Sequence, residues 1–313
     1  MKTYILLLII ILGTACKNKV EITEIETDKA IIPEGIAIHP TLNKIYLSSI
    51  NKKKIIEYDY NTGITIDFIE SNRNDYKSGV GMEIKDDKLF TLSNEKKADN
   101  YTSLLSVYDL EKRTLLHSYV LNDGTPHFLN DLAIDGNNRI YITDTKRSRV
   151  YKLDYPEGKL EVFLEDEALK YPNGIAISDQ SGRLFVASWV NGIQIINMKT
   201  SKILKQPDNP STGIGIDGLK YHMGNLYAIT NNWDKSKMNG LVMFELNEDQ
   251  THVLKMADLL TNHSKMDIPT TLCIRNNNIY LIANSQLPNF DQKKREIINP
   301  DQLNNTFIIK YGI

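Results

Sequence analysis

Cysteine is almost missing from this chain: 313 residues hold two, Cys16 and Cys273. That excludes a disulfide-built scaffold, so stability has to come from packing. An excess of charge of either sign is missing too. Lys and Arg number 37 against 39 Asp and Glu, for a net charge of −2 and a pI near 6.3, which leaves no basic patch for a nucleic acid and no acidic tail. A small molecule is the better-matched partner. No hydrophobic run is long enough to span a bilayer; the one candidate, Tyr4 to Leu12, has nine residues where about 20 are needed. No Pro-, Gly- or Ser-rich linker and no low-complexity segment interrupts the sequence, so it reads as one domain although its length alone would suggest about two.

The N-terminal residues have the layout of an export signal: Met1-Lys2-Thr3, the apolar run, then the small residues Gly13-Thr14-Ala15 before Cys16. Cys16 in that position resembles the lipidated cysteine of a bacterial lipoprotein box, with the departure that Gly13 stands where Leu, Val or Ile is usual. The expected organisation is a signal segment over 1–16 and a single mature domain over 17–313, with Lys17, Asn18 and Lys19 as a polar tether. The protein is then exported and held in the cell envelope, facing the periplasm, as a monomer that touches the membrane through its lipid only. An ordinary secreted protein is the alternative. With Cys16 acylated, Cys273 has no partner and no disulfide forms.

What the chain has in abundance is a repeat. Six segments carry a key residue followed by apolar residues two and four places later, then a polar turn and an aromatic-bearing strand. They are Glu34-Gly-Ile-Ala-Ile, Val80-Gly-Met-Glu-Ile, Asn130-Asp-Leu-Ala-Ile, Asn173-Gly-Ile-Ala-Ile, Asp217-Gly-Leu-Lys-Tyr and Thr270-Thr-Leu-Cys-Ile, spaced by 46, 50, 43, 44 and 53 residues. A period in the forties predicts a β-propeller with one blade per repeat. Turns rich in Asn, Asp and Gly, such as Asp135-Gly-Asn-Asn138 before Arg139-Ile-Tyr-Ile-Thr143, supply the positive φ of tight hairpins. The fold class is therefore all-β, a six-bladed propeller of four-stranded antiparallel blades. The C-terminal strand Thr306–Tyr311 ends the chain one strand short, and Val20–Ile25 is placed to supply the missing outer strand and close the ring. Polar connections are expected at Asn94–Thr102, Asn122–His127, Gln206–Gly215, Asn231–Asn239 and Ser285–Asn305, where loops framing an axial pocket would select a substrate.

The innermost strands of a propeller line its axis, so equivalent residues converge. Glu34, Asn130, Asn173 and Asp217 would offer two carboxylates and two amide oxygens to one spot. That donor set suits a hard cation, calcium better than magnesium, with another divalent ion as the alternative. No His or Cys holds a key position, which argues against zinc. Val80 and Thr270 would shape the pocket wall.

Pro33-Glu34-Gly35, Asn130-Asp131, Pro172-Asn173-Gly174-Ile175-Ala176 and Asp217-Gly218-Leu219 resemble the signature positions of the gluconolactonase and regucalcin-like family, related to the paraoxonases. The resemblance implies a calcium-dependent hydrolase of lactones or related esters. It implies Glu34, Asn173 and Asp217 as core metal ligands, Asn130 as a ligand or substrate contact, and Asp217 as general base or, secondarily, nucleophile. Phe128 stands where sugar lactonases often carry an Arg, which weakens the case for a sugar acid. His127 is a candidate proton shuttle, and Trp189, Trp233 and Tyr221 are candidates for an apolar mouth. The competing reading is a non-catalytic propeller of the NHL type that binds a ligand or protein.

Overall fold

A computed structural model describes residues 19–97, 100–205, 213–231 and 239–313; Cys16 and Trp233 lie outside the described residues. Six four-stranded antiparallel sheets follow one another along the chain as blades. The innermost strands are Pro33–Ile38, Ser78–Lys85, Leu129–Ile134, Pro172–Ser178, Ile216–His222 and Leu272–Arg275. The molecule is a six-bladed β-propeller, and its helical content among the described residues is confined to 3₁₀ turns of three residues each.

Ring closure follows from the ends of the chain. Val20–Ile25 pairs antiparallel with Thr306–Gly312, from Val20 opposite Tyr311 to Ile25 opposite Thr306, and completes the sixth blade. Closing the ring leaves no blade with an unpartnered face.

The core is not one central mass. Alternating apolar residues on both faces of each blade meet their neighbours in a buried cluster at every seam, for instance Ala37, Tyr46, Phe68, Met82 and Tyr108 between blades one and two. A further cluster joins blade six to blade one through Ile25, Ile36, Ile45, Tyr280 and Ile308. The apolar surface is thus spent between blades, which leaves the inner strand edges free to carry polar groups toward the axis.

One expectation is corrected. The described residues of the polar stretch Asn94–Thr102 are strand rather than loop: they belong to Lys88–Lys97 and Asn100–Asp109, with Glu95 opposite Thr102 and Lys97 opposite Asn100. Its charges are satisfied across the surface rather than by solvent alone, since Glu95 is ion-paired with Lys53, Lys77 and Lys97.

Candidate metal centre

Five of the six key residues sit where their inner strand slips register, and the sixth, Thr270, lies just before its strand. The pairing jumps between Pro33 and Ile36, Gly79 and Met82, Leu129 and Leu132, Pro172 and Ile175, and Ile216 and Leu219. The key residue and its successor are the unpaired members of each bulge, and a bulge re-aims side chains that a regular strand would send into a seam. Glycine follows the key residue in four blades because adjacent inner strands nearly touch there. A Cβ on Gly174 would lie 2.6 Å from both the Asp217 carbonyl oxygen and the Leu219 nitrogen, and one on Gly81 would lie 2.5 Å from the Asn130 carbonyl oxygen. Hydrogen bonds stitch this inner ring: Thr270 and Thr271 donate to the Glu34 carbonyl at 3.0 and 2.6 Å, Ser48 to that of Val80 at 2.8 Å, and Thr143 to that of Asn173 at 2.7 Å.

The structure brings Glu34, Asn173 and Asp217 together. Asp217 is buried, and one of its oxygens accepts from Asn231 Nδ2 at 2.5 Å. Asn173 also hydrogen-bonds its carboxylate, while burial pushes the group up from an ordinary 3.8 to about 7. Glu34 is held well above the usual carboxylate range by burial, with the charges of Asp217 and Asp131 adding to the effect. Two buried oxygens of this group have no hydrogen-bond partner, Glu34 Oε2 and Asn173 Oδ1. Acceptor-only atoms beside two mutually repelling carboxylates are costly in a dry site, and a cation removes both penalties at once. The donor set therefore fits a hard cation. Asn130 lies in the next bulge; its amide nitrogen is committed to Thr145 Oγ1 at 3.0 Å, so its oxygen is the end left for another partner. Among the described residues no three His, Cys, Asp or Glu side chains converge, so the site depends on the amides as much as on the carboxylates.

His127 is held in a hydrogen-bonded cluster of its own. Its side chain is fully buried, with Nδ1 2.6 Å from Asp144 Oδ2 and Nε2 2.9 Å from Asp123 Oδ1. Both nitrogens are thus engaged by carboxylates, and Asp144 in turn accepts from the backbone of Phe128 and Lys146. Tyr221 stacks on Phe185 at 5.8 Å, and its hydroxyl accepts from Gln250; it lines a cavity with Glu83, Lys220 and Cys273.

Asn231 is the residue the repeat reading passed over, since it entered there only as the start of a connection. It also donates to the Pro269 carbonyl at 2.9 Å, which ties blade five to blade six beside the site. A signal for it exists: a polar residue stands 14 or 15 positions after every key residue, at Ser49, Asn94, Asp144, Ser188, Asn231 and Ser285. Of these, Ser49, Asn94, Ser188, Asn231 and Ser285 all donate a side-chain hydrogen bond to a main-chain carbonyl.

No family model matches the chain. A curated relative, the uncharacterized protein YncE of Escherichia coli O157:H7, is 24% identical over 136 residues, which is 43% of this chain and 37% of that protein. The chain thus spans about a third of the relative it matches. Solved structures resemble it over nearly its whole length. A calcium-binding regucalcin of Agrobacterium tumefaciens is 16% identical with a TM-score of 0.60, covering 91% of this chain and 93% of that one. The PQQ-bound aldose sugar dehydrogenase of Streptomyces coelicolor is 14% identical with a TM-score of 0.61, covering 94% and 98%. Virginiamycin B lyase of Staphylococcus aureus is 13% identical with a TM-score of 0.57, covering 95% and 100%. A dehydrogenase, a lyase and a calcium-binding protein share this architecture, so the likeness establishes the propeller and leaves the chemistry to the axis.

Proposed function

We propose that the protein is a calcium-dependent hydrolase of a lactone or related ester, held in the cell envelope by lipid on Cys16. The observation that carries this reading is the pair of buried, unpartnered oxygens, Glu34 Oε2 and Asn173 Oδ1, grouped with a second carboxylate. Glu34, Asn173 and Asp217 would hold the ion, with Asn130 as a further oxygen or a substrate contact. When bound, calcium supplies Lewis-acid polarisation of the ester carbonyl. Burial pushes Asp217 up to about 7 in the metal-free protein; beside a bound calcium it falls again, and the carboxylate stays ionised and able to accept a proton. Asn231 fixes one of its oxygens, and the carboxylate takes a proton from water as the water oxygen adds to the carbonyl carbon. The same proton passes to the alkoxide oxygen when the carbon–oxygen bond breaks. Thr270 is buried with its hydroxyl on the Glu34 carbonyl, and Val80 packs in the seam between blades two and three. The structural similarity to a calcium-binding regucalcin supports the same choice of ion.

Calorimetric titration of chelator-stripped protein with calcium tests this reading, beside Asp217→Asn, Glu34→Gln and Asn231→Ala. One site weakened by the first two, followed by turnover in a lactone and ester screen that Asn231→Ala lowers about tenfold, is the expected result. Binding that ignores Asp217 and Glu34 would leave a ligand-binding scaffold.

A further inference from the structure

The same six repeats carry a second pattern, three residues after each key position: Ala37, Glu83, Ala133, Ala176, Lys220 and Cys273. Alanine in three blades leaves space that the larger side chains of the other three occupy. Lys220 crosses from blade five to the far side of the channel. Its ammonium lies 3.4 Å from Glu83 Oε2 in blade two, 3.8 Å from Asp131 Oδ2 and 3.5 Å from the Leu132 carbonyl oxygen in blade three. These side chains are mostly buried, with exposures of 18% for Lys220, 28% for Glu83 and 5% for Asp131. Beside them a cavity of about 210 Å³ is lined by Glu83, Lys220, Tyr221 and Cys273 among apolar residues. The backbone positions of Glu83 and Lys220 lie three residues, about 10 Å, along the inner strands from the key positions, and the Lys220 ammonium reaches back to Asp131 and Leu132, one and two residues past Asn130.

We infer that the Lys220 ammonium is a built-in counter-cation, filling an oxygen-lined second tier that a divalent ion would otherwise take, and so limits the channel to one divalent ion. Without it, two carboxylates and a carbonyl from two blades would face one enclosed spot with a charge of −2, a set of hard donors that waters can complete. The three contacts are each longer than the ~2.8 Å of a close charge-assisted bond, so the ammonium is caged by the group rather than fixed to one oxygen. Asp131 adjoins Asn130 in its bulge, and its charge reaches both Glu34 and Asp217. Lys220 thereby also sets how negative the axial site is. A lysine is fit for this duty because it brings its charge on a tether and needs no ion from solution. The count of one ion in the unmodified chain rests on the proposed axial site; the gain of a site on removing Lys220 does not.

Calcium chloride alone, titrated calorimetrically into chelator-stripped protein, is the probe. Lys220→Met is expected to bind one more equivalent than the unmodified protein. Lys220→Arg is expected to show no gain, and Lys220→Met combined with Asp131→Asn to lose it. An unmodified protein that binds none while Lys220→Met binds one would refute the axial site and uphold this inference. Equal equivalents in both would overturn the inference, whatever the axial site does. If Lys220→Met is unfolded in chelator, return of a cooperative thermal transition with millimolar calcium in Lys220→Met carrying Asp217→Asn, which removes an axial ligand, upholds the proposal. Failure to fold at that concentration overturns it.

Discussion

Stripping the protein of metal should invert the usual pH dependence of its stability. Asp217 rises from 3.8 to about 7 on folding, and Glu34 moves in the same direction. A carboxyl whose folded value is raised binds a proton more tightly in the native state, so its contribution is fully present below the unfolded value and is lost as pH rises through the folded one. The window is therefore pH 4 to 7. At ~1.4 kcal/mol per unit, Asp217 alone costs the metal-free protein on the order of 4 kcal/mol across it. For a chain of this length that lowers the melting temperature by roughly 5–8 °C between pH 4.5 and 7.5. Differential scanning calorimetry in chelator reads this directly, with Asp217→Asn as the control that flattens the slope. Saturating calcium should also flatten it, because the ion stabilises the ionised pair, and binding near pH 6 should release protons that appear as a buffer-dependent enthalpy. A metal-free stability that is level or rising from pH 4 to 7 would refute the reasoning, since it would mean that burial does not raise the proton affinity of these carboxyls.

Gly174→Ala places a Cβ between backbone atoms of the neighbouring blade and should cost at least 2 kcal/mol in urea unfolding. Gly63→Ala, in open space with φ of +71°, should cost only about 1 kcal/mol. His127→Ala leaves the buried Asp144 without its partner and should lose about 3 kcal/mol while folded molecules keep their turnover; a large fall in turnover at unchanged stability would instead place the ring in the chemistry. Deleting residues 19–25 strips the outer strand from Thr306–Gly312 and the buried Ile25 from the closing seam. The cooperative thermal transition should then be lost, and its persistence at the original temperature would show that the ring does not depend on this closure.

The sequence by itself determined the blade count, the inner strands, the closing strand Val20–Ile25 and the key residues. These are local properties: a period-two alternation of apolar residues, turns of Asn, Asp and Gly, and a motif repeated six times. Only the tertiary structure decided what the local pattern does. The register slips turn Glu34 and Asp217 toward one another, and no alternation rule contains a bulge that depends on how closely the next blade approaches. Asn231 and Lys220 take their roles from partners in other blades, Pro269 for one and Glu83 and Asp131 for the other. His127, three residues before a key position, is instead committed to Asp123 and Asp144 within its own blade and the loop before it. The paired strands Lys88–Lys97 and Asn100–Asp109 take in residues that look like a loop, and Glu95 among them finds a partner on a neighbouring blade in Lys53. Packing of the blades into a closed ring sets the cross-blade contacts, and it joins residues more than 200 positions apart, as in the bond from Thr271 to the Glu34 carbonyl. That proximity is created by folding and is not carried by any stretch of the chain.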